Sequence, residues 1–401
     1  MIKKWIGSWQ YLCLFSVVFL LLLSSSIKPT ESFFEGADRS FSPLISFFSS
    51  LSPIFVMSSM LLAVCGVFLN HIHKLEHPVF GLGLIFFLLL KIVAVISYAF
   101  FEMEFFPITF SFFIVWVISA YILSVQAKNG GAFEVVAIAI SIFACFFSII
   151  NLYEYIGNPY SVVWAGRFYG VTNHPNFIGG YSAMMAPFLL WAFAISPRNV
   201  KPFCILFFVC IVMVTFFSGS RASVASLLIG LLAYSYYQFG SFKTIGYGMF
   251  ALFVFVPLVL FLMTFGESLG LSPQRLLLTE NTREYVNFEL WNAFSNSPVF
   301  GNPLKVGSTS NSYLLVLAKF GLVGGLIMIL LLLTVFKYLV DVNEKSVSGL
   351  GAAYIGALAV ILPYSLFEGV LVENFSLGQI MFVFTLVYLG CQTKDNQDVM
   401  S

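Results

Sequence analysis

The sequence predicts an all-α polytopic membrane protein, because its composition is strongly apolar and its apolar runs are long. Of its 401 residues, 60% are hydrophobic and 9% are charged, whereas about 25% are charged in an average soluble domain. The 48 phenylalanines outnumber the 19 basic and 18 acidic residues together. This composition excludes a soluble enzyme, a basic nucleic-acid-binding protein and a disordered chain.

Polar, proline and glycine breaks divide the sequence into about twelve predicted transmembrane helices within a single transmembrane domain, 1–401. Their predicted limits are 6–26, 44–69, 79–100, 106–126, 132–150, 175–195, 202–218, 222–239, 245–265, 312–336, 349–367 and 375–391. An alternative interpretation of the first span is a cleaved signal peptide, because two lysines precede an apolar run that ends in three serines.

Two connecting segments are long, an outer loop at 151–174 and a large, partly helical periplasmic loop at 266–311. Long connections in a compact protein are commonly functional. Both contain several aromatic residues, which argues against disorder. We therefore expect these two loops to cover a functional site.

The charges of the loops predict that both termini are cytoplasmic. In that orientation the inner segments contain ten basic and six acidic residues, and the outer segments contain eight basic and twelve acidic residues. Membrane proteins concentrate lysine and arginine in their cytoplasmic loops. The two long loops are then periplasmic.

The arginines are sorted differently from the lysines. Only Arg198 falls on the predicted inner side, and the outer arginines are Arg39, Arg167, Arg221, Arg275 and Arg283. A guanidinium is a planar fork of donors that matches phosphate and carboxylate oxygens. This sorting indicates an anionic ligand on the outer side, with scattered surface charges as the alternative.

The segment that ends the 151–174 loop contains turn-forming glycines and leads into Pro175, which suits the first position of a helix. The free N–H groups of that helix start, next to Arg167, predict an anion-binding seat. His174 and Asn176 lie at its entrance. An ordinary interfacial histidine is the alternative interpretation of His174.

Arg221 is predicted to lie in the first turn of a helix that Ser218 or Ser220 caps. A cation at this place opposes the helix dipole. At membrane depth it needs a partner, which is either an acidic side chain or an anionic ligand.

Residues 281–294 predict an amphipathic helix within the 266–311 loop, with Asn281 and Glu284 as a capping box. Arg283, Glu284 and Glu289 would face water or substrate. A polar cluster then opens the next span at Asn311 and Tyr313, and the glycines that follow it, Gly321, Gly324 and Gly325, predict close helix packing.

No metal or cofactor site is predicted. The sequence has no P-loop, dinucleotide fingerprint or HExxH motif. Its six cysteines lie in or at the end of apolar runs without metal-ligand spacing, as buried thiols do. The histidines at 71, 73 and 77 fall in a short loop that offers no fixed geometry for a metal.

Taken together, these segments resemble the O-antigen polymerase and O-antigen ligase family of bacterial membrane proteins. The matching pieces are 167–176, Ser220-Arg221, the long loop with Trp291, Pro298 and Gly301, and the entrance at Asn311, Tyr313 and Leu314 before a glycine-rich span. They occur in the family's order over about 167–325.

The resemblance implies a fold like the GT-C glycosyltransferases and an active site at the periplasmic face of the inner membrane. It implies a polyprenyl-diphosphate-linked glycan as donor and a second glycan as acceptor, with no cofactor. Polymerases transfer the growing chain to the next lipid-linked repeat unit, and ligases transfer it to lipid A-core. A membrane protein that regulates chain length is an implied partner.

The implied site residues fall into two groups. The catalytic candidates are Arg221, which we expect to neutralise the leaving diphosphate, together with Arg283 and His174. The substrate-binding candidates are Arg167, Asn176, Arg275, Glu289, Trp291, Asn311 and Tyr313. His174, Glu284 and Glu289 are the titratable candidates for a base that activates the acceptor hydroxyl, and the sequence does not rank them.

Two departures from the family pattern bear on the function. Ligases typically carry a His-Asn pair where this chain has Ser310-Asn311, so a polymerase is favoured over a ligase or a protein O-glycosyltransferase. Many members have an arginine four residues before Trp291, where Asn287 stands here, and Arg283 is one turn earlier. The alternative from another class is a transporter of lipid-linked glycans, which would place polar residues in mid-membrane.

Overall fold

The computed structural model describes residues 9–27, 41–72, 80–164, 166–240, 271, 283–306, 311–343, 348–372 and 375–394. The helices within these ranges are α1 (Trp9–Ser26), α2 (Pro43–Ser50), α3 (Ser52–Ile72), α4 (Leu82–Phe100), α5 (Phe106–Asn129), α6 (Ala132–Gly157), α7 (Pro159–Val162), α8 (Pro175–Ile195), α9 (Lys201–Phe217), α10 (Arg221–Phe239), α11 (Glu284–Asn296), α12 (Ser312–Asn343), α13 (Gly349–Tyr364) and α14 (Leu377–Lys394). Two short antiparallel strands, β1 (Val163–Trp164) and β2 (Arg167–Phe168), and a 3₁₀ turn at Pro303–Lys305 complete them.

The predicted class of all-α, multi-pass membrane protein is confirmed. Eight described helices are long and apolar enough to cross a membrane, namely Trp9–Ser26, Ser52–Asn70, Leu82–Phe100, Phe106–Asn129, Ala132–Gly157, Pro175–Ile195, Arg221–Phe239 and Ser312–Val342. Three shorter apolar helices are Lys201–Phe217, Gly349–Tyr364 and Leu377–Gln392. The predicted span 245–265 lies outside the described residues, so the number twelve and the GT-C-like arrangement stay predictions.

Several predicted boundaries were wrong. The span predicted at 44–69 is two helices, α2 and α3, which meet at Leu51. Pro53 in the first turn of α3 explains the break, because proline lacks an N–H donor and restricts the residue before it. Helix α6 continues to Gly157 and so takes up the first part of the segment predicted as the 151–174 loop.

The centre of the bundle is α8, which packs against α6, α9, α10 and α13. Glycines allow the closest approaches. A side chain on Gly230 of α10 would lie 2.8 Å from the carbonyl oxygen of Gly356 in α13, and the Tyr364 ring of α13 fills the space above Gly180 of α8. These contacts hold α8, α10 and α13 together.

The two ends of the bundle carry different polar groups. At one end Gln10 Nε2 donates to Asn70 Oδ1 at 2.6 Å, and the Tyr11 hydroxyl donates to the Gly130 carbonyl at 3.0 Å. Helix α6 leads from there to the other end, where Asn151 Oδ1 accepts from the backbone N–H of Val171 at 3.0 Å. All the candidate residues that the structure describes lie at this second end, which we call the site end.

Helix α12 is broken at Gly321, whose φ of 61° and ψ of −156° are not helical. Residues 297–306, which lead from α11 back towards α12 and which we call the return segment, run beside this break. The Leu322 N–H donates to the Pro298 carbonyl at 2.7 Å, and the Asn302 N–H donates to the Ala318 carbonyl at 3.0 Å. The predicted role of Gly321 in close helix packing was therefore wrong, because the neighbour that excludes a side chain there is the backbone of the return segment.

Candidate functional site

The site end begins with the start of α8. Pro175 is its first residue, as predicted, and His174 is its N-cap, with Nδ1 accepting from the Asn176 N–H at 3.2 Å. The His174 carbonyl accepts from the N–H groups of Phe177 and Ile178. The predicted anion-binding site on free N–H groups was wrong at Asn176, Phe177 and Ile178, because their N–H groups already donate to His174.

Arg167 projects from β2 and joins two helices. Its Nε donates to the Ser218 carbonyl at the end of α9 at 2.8 Å, and its Nη2 donates to Asn176 Oδ1 at 2.7 Å. Its side chain also packs beside Gly219, whose φ of 63° makes the tight turn between α9 and α10. Both ends of this guanidinium are thus fixed by partners on α8 and α9.

The side-chain amide of Asn176 also links Arg167 to the buried carboxyl group of Glu368. Asn176 Nδ2 donates to Glu368 Oε1 at 2.6 Å, and Arg283 forms an ion pair with that oxygen. Arg283 also donates to the carbonyl of Phe367. We call Arg167, His174, Asn176, Arg283 and Glu368 the arginine–glutamate cluster.

Glu368 is the member that sequence reasoning missed as a site residue. It lies after α13, where its N–H donates to the Tyr364 carbonyl at 3.1 Å and its carbonyl accepts from the Ser312 hydroxyl at 2.7 Å. The residue is 5% exposed. Burial raises the pKa of its carboxyl group, and Arg283, Asn176 and Arg167 act against that rise.

The structure keeps His174 neutral. Burial, followed by the charges of Arg167 and Arg283, lowers the pKa of this imidazole to about 3. Because Nδ1 accepts a hydrogen bond, the proton of the neutral ring is on Nε2, which makes that nitrogen a donor. The geometry therefore favours hydrogen-bond donation over action as a base.

Arg221 is the first residue of α10, as predicted. Ser220 is its N-cap, and the Ser220 Oγ accepts from the Ser223 N–H at 3.3 Å. The Arg221 side chain is exposed. It follows the Gly219 turn on which Arg167 packs, so the two arginines flank one turn at the site end.

The amphipathic helix of the 266–311 loop is present as α11, but it begins later than predicted. Its N-cap is Arg283, whose side chain does not cap the helix because it bonds to Glu368. Arg283 thus faces the protein instead of water, while Glu284 and Glu289 are exposed. Leu290 and Ala293 pack on Leu315 and Ala318 of α12.

The remaining candidates do not join the cluster. Trp291 and Glu289 lie on the exposed face of α11. There Glu289 accepts a hydrogen bond from the Tyr285 hydroxyl, which raises the pKa of Tyr285. Asn311 caps α12 by accepting from the N–H groups of Tyr313 and Leu314, each at 3.2 Å. The Tyr313 hydroxyl donates to the Leu362 carbonyl at 3.0 Å. Arg275 lies outside the described residues.

No protein-family model matches the chain, and no curated protein is significantly similar to it in sequence. Within the described ranges, no group of three or more His, Cys, Asp or Glu residues is placed to hold a metal ion. The chemistry of the arginine–glutamate cluster and of Arg221 is therefore the basis for the function proposed below.

Proposed function

We propose that this protein is a glycosyltransferase that polymerises polyprenyl-diphosphate-linked repeat units into O-antigen or a related surface polysaccharide. The observation that carries this proposal is the gathering of cations at one end of an apolar bundle. Arg283 pairs there with the buried carboxylate of Glu368, Arg167 is linked to it through Asn176, and Arg221 begins the neighbouring helix α10. A lipid diphosphate is anionic at its head and apolar in its tail, which suits such an end.

In the proposed reaction, a hydroxyl of the acceptor glycan attacks the anomeric carbon of the donor, and the bond from that carbon to the diphosphate breaks. The leaving diphosphate gains negative charge as the bond breaks. Guanidinium groups held in place beforehand stabilise this charge more in the transition state than in the ground state. Arg167 and Arg283 are held by two protein acceptors each, so little reorganisation is needed.

His174 is proposed to contribute a neutral donor. A buried neutral imidazole with its proton on Nε2 can bond a phosphate or sugar oxygen without adding charge. Arg221 is proposed to bind the diphosphate from the exposed side of the Gly219 turn. Trp291, Glu289 and Arg275 are proposed to contact the glycan from the 266–311 loop.

We place the protein in the bacterial inner membrane, with both termini in the cytoplasm and the site end in the periplasm. The support is the charge of the loops, together with the separation of the Gln10–Asn70 end from the site end. The expected partners are the lipid-linked donor and acceptor, the bilayer and a regulator of chain length.

Cysteine labelling tests this orientation. In a chain without its six native cysteines, a cysteine at the exposed Ser295 of α11 should react with an impermeant maleimide on cells whose outer membrane alone is opened. A cysteine at the exposed Lys128 should react only after the inner membrane is opened as well. The reverse pattern would contradict both the orientation and a periplasmic site.

Loss of the gene tests the reaction. If the chain is a polymerase, its deletion should remove long polysaccharide and leave lipid A-core with a single repeat unit, because ligation still works. Gel analysis of extracted lipopolysaccharide measures this, and the intact gene supplied in trans is the control. Loss of all capped core with polymer accumulating on the carrier lipid would indicate a ligase. Loss of outward movement of lipid-linked units would indicate a transporter.

A further inference from the structure

The carboxyl group of Glu368 is held asymmetrically. Asn176 Nδ2 and Arg283 Nη2 both donate to Oε1. Within the part of the chain that the structure describes, Oε2 accepts no hydrogen bond. The side chain is 7% exposed, so the group is enclosed by protein but not sealed from a ligand.

The orientation of the Asn176 amide follows from its other partner. Arg167 Nη2 donates to Asn176 Oδ1 at 2.7 Å, and an arginine has no acceptor. The Asn176 oxygen therefore faces Arg167 and its NH₂ group faces Glu368. Asn176, oriented by Arg167, and Arg283 together hold Oε1 in place.

The other candidate bases are less suitable. His174 presents an N–H at Nε2, since Nδ1 accepts from the Asn176 N–H. Glu284 and Glu289 are exposed on α11, where water competes for a carboxylate. Glu368, in contrast, pairs with Arg283 and is linked through Asn176 to Arg167, two of the arginines that are proposed to bind the diphosphate.

We propose that Glu368 is the catalytic base, with Oε2 taking the proton of the attacking acceptor hydroxyl. This inference rests on the proposed glycosyl transfer. As the new bond forms between the acceptor oxygen and the anomeric carbon, the hydroxyl proton passes to Oε2. The electron pair of the broken bond leaves with the polyprenyl diphosphate. Asn176 and Arg283 act as positioning residues that keep Oε1 bonded throughout.

The surroundings of Glu368 suit this role. Burial raises the pKa of its carboxyl group, which strengthens it as a base, because an effective base has a pKa near the working pH. The charged groups that act on the Glu368 carboxyl are Arg283 before α11 and Arg167 in β2, and the same two arginines act on the neutral His174 before α8. The two arginines act in the opposite direction to burial and favour the carboxylate form.

Glu368→Gln tests the proposal, because glutamine keeps an oxygen acceptor for Asn176 and Arg283 but takes no proton. The assay uses the full chain in detergent, with lipid-linked oligosaccharide extracted from cells that lack the gene. The initial rate of chain extension should fall by about 10²-fold or more. Binding of undecaprenyl diphosphate, used as the probe, should stay within about threefold of normal. Glu104→Gln, at an exposed acid in the connection between α4 and α5, is the matched control and should extend chains normally.

Azide distinguishes a base from a structural carboxylate. Azide attacks the anomeric carbon without having to lose a proton, so it should restore donor cleavage to the Glu368→Gln chain and yield a glycosyl azide. The wild-type rate should also fall as Glu368 is protonated, and this acid limb should be absent from the variant. A structural role predicts neither result.

The outcomes separate this inference from the proposed function. If the wild-type chain does not extend the extracted oligosaccharide, the polymerase function itself is wrong. If the wild type extends it and Glu368→Gln does so at the same rate, only the role of Glu368 is overturned. If the variant does not fold, the pH dependence of the wild-type rate decides, and a rate that does not fall as the pH is lowered through the range in which carboxyl groups titrate overturns the role.

Discussion

Replacing Arg221 by alanine is expected to reduce chain extension by about 10²-fold while leaving the protein folded, the loss typical of removing one donor to a developing charge. Its side chain is exposed at the start of α10, where a cation opposes the helix dipole. A bound diphosphate would compensate for that placement. The measurement is polymer formed per molecule of correctly inserted protein.

A lysine at position 221 tests whether the positive charge alone is enough or the shape of the guanidinium is also needed. Arg221→Lys keeps the charge but loses the fork that matches phosphate oxygens, so it should restore little activity. Arg198→Ala, at the exposed arginine of the predicted inner side, is the matched control and should extend chains normally. A structural ion pair of Arg221 with an outer acidic residue predicts a different result, namely low protein abundance in Arg221→Ala with partial rescue by lysine. Normal activity from well-expressed Arg221→Ala would remove this residue from the mechanism.

The fold class could be predicted from the sequence because a membrane-spanning helix requires a continuous stretch of apolar residues. An apolar run long enough to cross the bilayer is visible without knowledge of its neighbours. The ends of helices depend on tertiary contacts as well. Helix α6 continues to Gly157 because Glu154, near its end, accepts from the Ser42 N–H and the Ser161 hydroxyl, and no local pattern shows those partners.

The site could be predicted in part. Arg167, His174 and Asn176 stand within ten residues of one another, so a turn before a helix brings them together in any interpretation. Their link to Glu368 joins residues 192 positions apart, and a single sequence carries no sign of such a pairing. The available signal was an acidic residue at the edge of an apolar span, where an unpaired charge is costly.

The glycines after Asn311 show how one pattern serves two purposes. Small residues in an apolar run commonly permit two helices to approach, which is why packing was expected. The structure uses Gly321 to break α12 and admit the return segment. That segment connects α11 to α12, and Arg283 stands at the start of α11. The break thereby helps to fix the position of Arg283 against Glu368.

Gly321→Ala is expected to destabilise the protein strongly. The backbone at Gly321 (φ 61°, ψ −156°) lies in a region that is almost confined to glycine, and another residue there costs about 1–3 kcal/mol. A methyl group would also overlap the Val299 carbonyl and the Gly301 N–H, and overpacking costs about 1–3 kcal/mol more. Thermal unfolding of the detergent-solubilised chain measures the loss, and chain extension should fall with it because α11 is displaced.

Two matched glycines divide this loss into its parts. Gly130 has nearly the same backbone conformation (φ 66°, ψ −175°), but a side chain there would meet no atom within 4 Å. Gly130→Ala therefore reports the conformational cost alone. Gly157 ends α6 with open space around it and without a positive φ, so Gly157→Ala should change little. If Gly321→Ala were no more destabilising than Gly130→Ala, the close approach of the return segment would not be what requires glycine in α12.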